Sequence, residues 1–125
     1  MKEYVLLLGI VLSGIGCADP AADARAQQER GQAAYASYCA SCHEIEQGIG
    51  PRLKREVLAT RLSAATLLAY NRRNMPYQAG NTLPYEQYVD ITAYLLVRGG
   101  FLDSSRVFTE SDAAGISLVL ARGAP

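Results

Sequence analysis

Tyr38-Cys39-Ala40-Ser41-Cys42-His43 is the stretch on which the reading of this chain turns. Two thiols three positions apart, followed at once by an imidazole, make a covalent template. Each thiol can add to one vinyl group of a haem, and the adjacent ring then reaches the iron because the macrocycle is pinned beside it. Three plainer uses of these residues weigh less. A zinc site needs four ligands, whereas the chain holds only three Cys and one His, with His43 directly beside Cys42. A dithiol redox site calls for a βαβ context that the sequence lacks, and a structural disulfide is the third alternative.

The second axial ligand follows from counting. His43 is the only His, and Met1 leaves with the N-terminal segment, so Met75 is the one Met remaining. A lone Met is ordinarily core filler. Met75, however, stands before Pro76 at the end of a helical pattern, where a thioether can turn inward free of helical constraint. Lys54 is the rival ligand and an open sixth position the other alternative. A His/Met pair raises the reduction potential, which suits an electron acceptor in respiratory or oxidative pathways.

Working outward to the N-terminus, Met1-Lys2-Glu3 precedes an apolar run from Tyr4 to about Gly16, then Cys17-Ala18-Asp19-Pro20. This reads as a signal peptide over residues 1–18, the run being short of the roughly 20 residues of a membrane-spanning helix. Two cuts are open. Cleavage before Cys17 would leave that thiol to carry lipid, as in bacterial lipoprotein signals, although Gly14 stands where Leu is usual; cleavage after Ala18 would remove Cys17. Since Cys39 and Cys42 form a close pair in the sequence, Cys17 is left over, and either outcome disposes of an exposed free thiol.

The mature part is the size of one domain, about 105 to 110 residues. Half the chain is apolar, yet the aromatics are eight Tyr and two Phe with no Trp, so a bulky apolar cofactor would supply core volume. Residues 19–27 are Ala-, Gln- and charge-rich without an apolar face, and read as a tether becoming helical near Ala24. Gly31, Tyr35 and Tyr38 mark one face of a helix running to about Cys39. Gly48, Gly50 and Pro51 make a loop of Ser41 to Leu53. Ser63 can cap a helix from Ala64 to about Arg72, with Arg72 and Arg73 at its dipole-compatible end and Asn74-Met75-Pro76 stopping it. Gly80 to Pro84 is a second loop, and Pro84 opens a helix to Val97 whose face is Tyr88, Ile91 and Leu95 with Tyr94; Gly99-Gly100 closes it. Thr109-Glu110-Ser111-Asp112 resembles a capping box for a short helix to about Ile116, and Ser117 to Ala121 fits either a helix or an extended segment. No strand alternation or repeat appears, so the fold class is all-α, three to five helices around one cofactor.

Taken together, the ordered set Gly31 and Tyr35, Cys39-Ala40-Ser41-Cys42-His43, Gly50-Pro51-Arg52-Leu53, Met75-Pro76-Tyr77 and Tyr88-Val89-Asp90-Ile91-Thr92-Ala93-Tyr94-Leu95-Leu96 resembles a class I c-type cytochrome over residues 28–98. The resemblance implies one covalent haem c, with His43 and Met75 on the iron. It implies that Gly31 lets the first and last helices cross closely beside Tyr94, and that the Pro51 carbonyl accepts from His43 to fix its tautomer. The stretch from His43 to Met75 is short for that family, and residues 99–125 are an addition expected to pack on the domain. The Gly99-Gly100-Phe101 join resembles cytochromes that accompany quinoprotein and related periplasmic dehydrogenases.

Charge is balanced overall, with 12 basic and 12 acidic residues. Between Pro51 and Arg73 it is not: Arg52, Lys54, Arg55, Arg61, Arg72 and Arg73 face only Glu56. That run reads either as a solvated face offsetting haem propionates or as a docking patch for an acidic redox partner. Export disfavours nucleic acid. The expectation is a periplasmic electron carrier rather than an enzyme, with redox protein partners such as a periplasmic dehydrogenase or terminal oxidase. The alternatives are a subunit acting only within such a complex, and a haem sensor or peroxidase-like protein with a labile sixth ligand.

Overall fold

The computed structural model describes residues 16–121, so the expected signal segment lies almost wholly outside the described residues. Six helical segments follow one another: α1 (Pro20–Tyr38), α2 (Ala40–His43), α3 (Arg55–Ala59), α4 (Ala64–Asn74), α5 (Tyr85–Arg98) and α6 (Glu110–Ala113). Three of them are single turns, α2, α3 and α6; α2 falls largely where the sequence pattern showed loop, and α3 in a stretch to which it assigned no element. Among the described residues there is no strand, only an isolated antiparallel bridge between Ser63 and Ser117. The fold is all-α.

Residues 19–27 are a correction. Expected as a tether, they are the cap and first two turns of α1. Asp19 caps the helix by accepting from the Ala21 amide at 3.0 Å, and Pro20 occupies the first turn, where its missing N–H costs nothing. Ala24 and Gln27 are buried, Gln27 against the C-terminal segment. The Gln27 side chain donates to the Phe108 carbonyl at 2.9 Å and accepts from the Phe108 amide at 2.8 Å, pairing both backbone groups of a buried residue. A stripe of Ala and Gln carries little hydropathy signal, which is why the pattern there reads as polar.

α1 packs along α5, and the crossing is set by Gly31. A Cβ at that position would stand 2.1 Å from the Asp90 carbonyl oxygen and 2.9 Å from the Tyr94 Cβ, so the two backbones touch only because residue 31 has none. Beside the crossing, Arg30 clamps the buried Asp90 through two nitrogens, at 2.8 and 3.2 Å. α5 is buried on much of its circumference, with Leu95 and Leu96 nearly inaccessible alongside Leu58 of α3. Full burial of each such side chain contributes about 1.5–3 kcal/mol.

The helix ends match their sequences. Ser63 caps α4 by accepting from Thr66 N–H at 3.2 Å. α5 closes with Gly100 at φ +71° and bonds from Phe101 N–H to Leu96 and from Gly100 N–H to Val97, the paired pattern of a left-handed C-terminal cap. The Asp112 carboxylate reaches back to the Thr109 amide at 3.2 Å to open α6. Beyond it the chain runs extended: Ala64 N–H donates to Ile116 and Leu118 N–H to Leu62, both at 2.9 Å, burying Leu118. No helix among the described residues is long and apolar enough to cross a membrane.

The α1–α5 contact yields a direct test. Gly31→Ala forces the helices apart against backbone, and overpacking of this kind costs about 1–3 kcal/mol. Thermal unfolding of the variant should show a clearly lowered midpoint; an unchanged midpoint would mean the crossing is looser than described.

Candidate haem-binding cleft

Cys39 follows the last residue of α1 and leaves helical geometry at φ −122°, which turns the chain directly into α2. Its amide still donates to the Tyr35 carbonyl at 2.9 Å, so the first thiol is fixed to the end of a long helix. Cys42 and His43 lie in α2, a single turn closed by bonds from Cys42 and His43 N–H to the Cys39 carbonyl. Cys39 and Cys42 are half-buried free thiols, and His43 is buried. Burial, and then the neighbouring Cys42, push the Cys39 thiol up to about 11. A thiol so hard to ionise is a poor redox nucleophile. Among the described residues no three His, Cys, Asp or Glu side chains gather as a metal cluster, which leaves the zinc reading without ligands.

The His43 ring is set from two sides. Its Nδ1 lies 2.6 Å from the Pro51 carbonyl oxygen, so Nδ1–H donates there and Nε2 is the nitrogen left for a ligand. Behind the ring stands Gly50, where a Cβ would come within 2.4 Å of the His43 Cε1. The Gly50-Pro51 pair therefore does two things: it lets the loop back lie flat against the imidazole, and it supplies the acceptor that fixes its tautomer.

Met75 is the C-terminal cap of α4, extended at φ −122° and ψ 148°. Its amide donates to the Asn71 carbonyl at 2.9 Å, and its carbonyl accepts from the Tyr88 hydroxyl at 2.8 Å. Asn71 in turn donates through its side chain to Thr92 at 3.2 Å, both residues buried in the α4–α5 contact. Tyr88, which the sequence pattern placed on the apolar face of α5, and Asn71, which it did not single out, are thus positioning groups. The signal available was the phenol itself, since a buried Tyr needs a partner for its hydroxyl.

These pieces surround one cleft of about 690 Å³ of atom-free space, counting its open mouth. Its wall carries Cys39, His43 and Pro51 together with Met75, Pro76 and an apolar lining that includes Leu67, Leu83, Ile91 and Leu95. A second lobe shares Cys39, His43, Pro51, Tyr70 and Met75 and opens past Cys42, Ile49 and Tyr77. A flat, apolar, doubly thioether-linked macrocycle with one nitrogen and one soft ligand would fit this donor set: two thiols, Nε2 of a fixed imidazole, and a thioether lining the same cleft. Cys17 is exposed and lies away from the cleft-lining residues.

Four of the six basic residues from Arg52 to Arg73 make contacts within the chain while five of the six stay exposed. Arg55 lies 4.2 Å over the Phe101 ring and donates to the Gly100 carbonyl at 3.0 Å. Arg61 stacks 3.4 Å over Tyr70, and Arg72 faces Tyr85 while donating to Asn81 at 3.1 Å. Arg52 approaches Glu44 at 3.7 Å. These four arginines tie loops and helix ends together, and Lys54 and Arg73 stand exposed beside them.

Glu44, immediately after His43, is the strongest electrostatic feature near the cleft. Its Oε1 accepts from Arg98 Nη1 and from the Tyr35 hydroxyl, each at 2.6 Å. Those two bonds hold its carboxyl down at about 2. Burial and the facing Glu44 raise the Tyr35 hydroxyl, and Glu44 keeps Arg98 charged.

Three longer helices joined by single turns, two thiols followed at once by a fixed imidazole, and Met75 in the same cleft define a class I c-type cytochrome. Residues 26–95 match the family described as cytochrome C oxidase, cbb3-type, subunit III, and the chain belongs to that family. The cofactor of this domain is covalently bound haem c. Comparison with curated proteins and with solved structures returns no match.

A carboxylate whose value falls on folding from 4.5 to about 2 adds stability that is complete above pH 4.5 and lost as pH drops toward 2. The stability difference between wild type and Glu44→Gln, from urea unfolding at a series of pH values, should therefore be constant at neutral pH and shrink through that acid window. A difference independent of pH would show that the carboxylate charge contributes nothing.

Proposed function

We propose that the chain is an exported mono-haem cytochrome that carries single electrons, with its haem linked to Cys39 and Cys42 and its iron held by His43 and Met75. The observation that carries this reading is the His43–Pro51 hydrogen bond at 2.6 Å in an apolar cleft whose wall also presents Met75. Bound haem supplies the one-electron couple of its iron. The protein's part is positional. Pro51 holds the Nδ1 proton, so Nε2 stays unprotonated and directed to ligation. Tyr88 and Asn71 hold the backbone of Met75 on both sides of its Cα, so the thioether needs little rearrangement between oxidation states. The Leu and Ile lining excludes water.

Electrons would leave where the cleft meets solvent. Tyr38, Ile49 and Tyr77, 43, 75 and 58% exposed, form an apolar rim around the second lobe and suit brief contact with a redox protein. The N-terminal pattern supports a periplasmic location, with Cys17 as lipid attachment if cleavage falls before it. In that case only Ala18 and Asp19 separate the lipid-bearing residue from α1, which would hold the domain close to the membrane.

A second reading is favoured by the family's description: a subunit that works inside an oxidase complex. In that reading the same residues hold the haem, and neighbouring subunits cover the apolar rim.

The test is the absorption spectrum of protein made with the haem-attachment machinery, beside its Met75→Ala variant. Wild type should be low-spin in both oxidation states with the ferric sulfur-to-iron band in the far red, and the variant should lose that band and turn at least partly high-spin. A variant with an unchanged spin state and band would remove Met75 from the iron.

A further inference from the structure

The carboxylate of Glu44 joins four separate parts of the chain. Glu44 caps α2 directly after His43, its amide bonding to the Ala40 carbonyl at 2.9 Å. Its Oε1 takes the Tyr35 hydroxyl from the last turn of α1 and Arg98 from the last residue of α5, and its Oε2 faces Arg52 at 3.7 Å. Arg52 is the residue directly after Pro51. The two backbone segments that make the His43–Pro51 hydrogen bond are therefore tied together a second time, one residue further along each, by the Glu44–Arg52 pair. Arg98 also stands 5.6 Å over the Tyr35 ring, which packs on Tyr94 at 5.4 Å, so the cluster is seated on the α1–α5 contact.

The side chains of Glu44 and Arg98 are 30 and 33% exposed, which leaves their hydrogen bond only partly screened by solvent. An isolated surface pair would contribute little, whereas a carboxylate with three partners on three elements constrains each of them. Nothing in haem attachment or iron ligation requires an acid at this position, so the cluster is unaccounted for by the cleft itself.

We propose that Glu44 is a positioning residue for the His43 imidazole: through Arg52, Arg98 and Tyr35 it fixes the spacing of the His43–Pro51 hydrogen bond and thereby the electron density the ring gives to the iron. The inference rests on His43 being an iron ligand. A tighter Nδ1–H bond to Pro51 makes the ring a stronger donor and favours the ferric state, so loosening it raises the reduction potential. Removing the Glu44 charge raises the potential as well, and the variants must separate the two effects. Glu44→Gln loses the charge but keeps an oxygen for Tyr35 and Arg98; Glu44→Ala loses both; Tyr35→Phe deletes one hydrogen bond and leaves the charge in place.

The experiment uses the haem-loaded protein and two readouts, the reduction potential and NMR of the His43 ring. Glu44→Ala should raise the potential more than Glu44→Gln does, and should speed hydrogen exchange of the ferrous His43 Nδ1–H about tenfold or more. Tyr35→Phe should move both readouts in the same direction by less. Equal potentials in Glu44→Ala and Glu44→Gln with wild-type exchange would reduce Glu44 to a remote charge and overturn the inference. If Glu44→Ala does not fold, Tyr35→Phe decides alone, and wild-type values in it overturn the inference. Strong hyperfine shifts of the His43 ring protons in the ferric protein separately establish the ligand; their absence removes the ligand reading and this inference with it.

Discussion

Where α1 crosses α5 there is no room for a side chain, and the geometry of the cleft follows from that closeness. Gly31 brings the helices into backbone contact, and each then delivers its C-terminal end to the same region. α1 ends at Tyr38 and hands the chain to Cys39, while α5 ends at Arg98 beside Tyr35. A wider crossing would separate Tyr35 from Arg98 and leave the carboxylate of Glu44 to choose between them. The Arg30–Asp90 clamp holds the contact beside Gly31, and the Tyr35–Tyr94 ring pair holds it one turn further along.

From that fixed point the two walls of the cleft are built by different means. The His43 wall is local: one helical turn, a glycine that lets the ring lie flat and a proline carbonyl eight residues on. The Met75 wall is assembled at long range, because the strand-like backbone after α4 is held by α4 at one end and by Tyr88 of α5 at the other. Among the described residues the C-terminal segment does not line the cleft. It braces the body from outside, with Phe108 on Gln27 and Leu118 along the start of α4.

Much of this was legible in the sequence wherever the signal is local. Cys39 through His43, the Ser63 cap, the Asn74-Met75-Pro76 stop and the Gly99-Gly100 end all act on their immediate neighbours, and the cap and both helix ends stand where the sequence puts them. Gly31 and Pro51 carried meaning only through resemblance, since their partners Asp90 and His43 lie elsewhere in the chain. Residues 19–27 misled because Ala24 and Gln27 are small or polar, and Gln27 is buried against a segment 81 residues away. The basic run had a visible sign but not a visible use: Arg55 and Arg72 are read correctly only once Phe101 and Tyr85 stand beneath them. Glu44 and α3 gave no periodic signal at all, one being a single acid in a loop-like stretch and the other five residues long.

The most direct measurement is the intact mass of the mature chain after denaturation in acid, which strips haem held by coordination alone. The structure and the residues at its cleft predict the mass of the polypeptide plus one haem, and loss of that increment when Cys39 and Cys42 are both replaced by Ala. Recovery of the bare polypeptide mass from wild type made with the haem-attachment machinery would contradict a covalent haem at these two thiols.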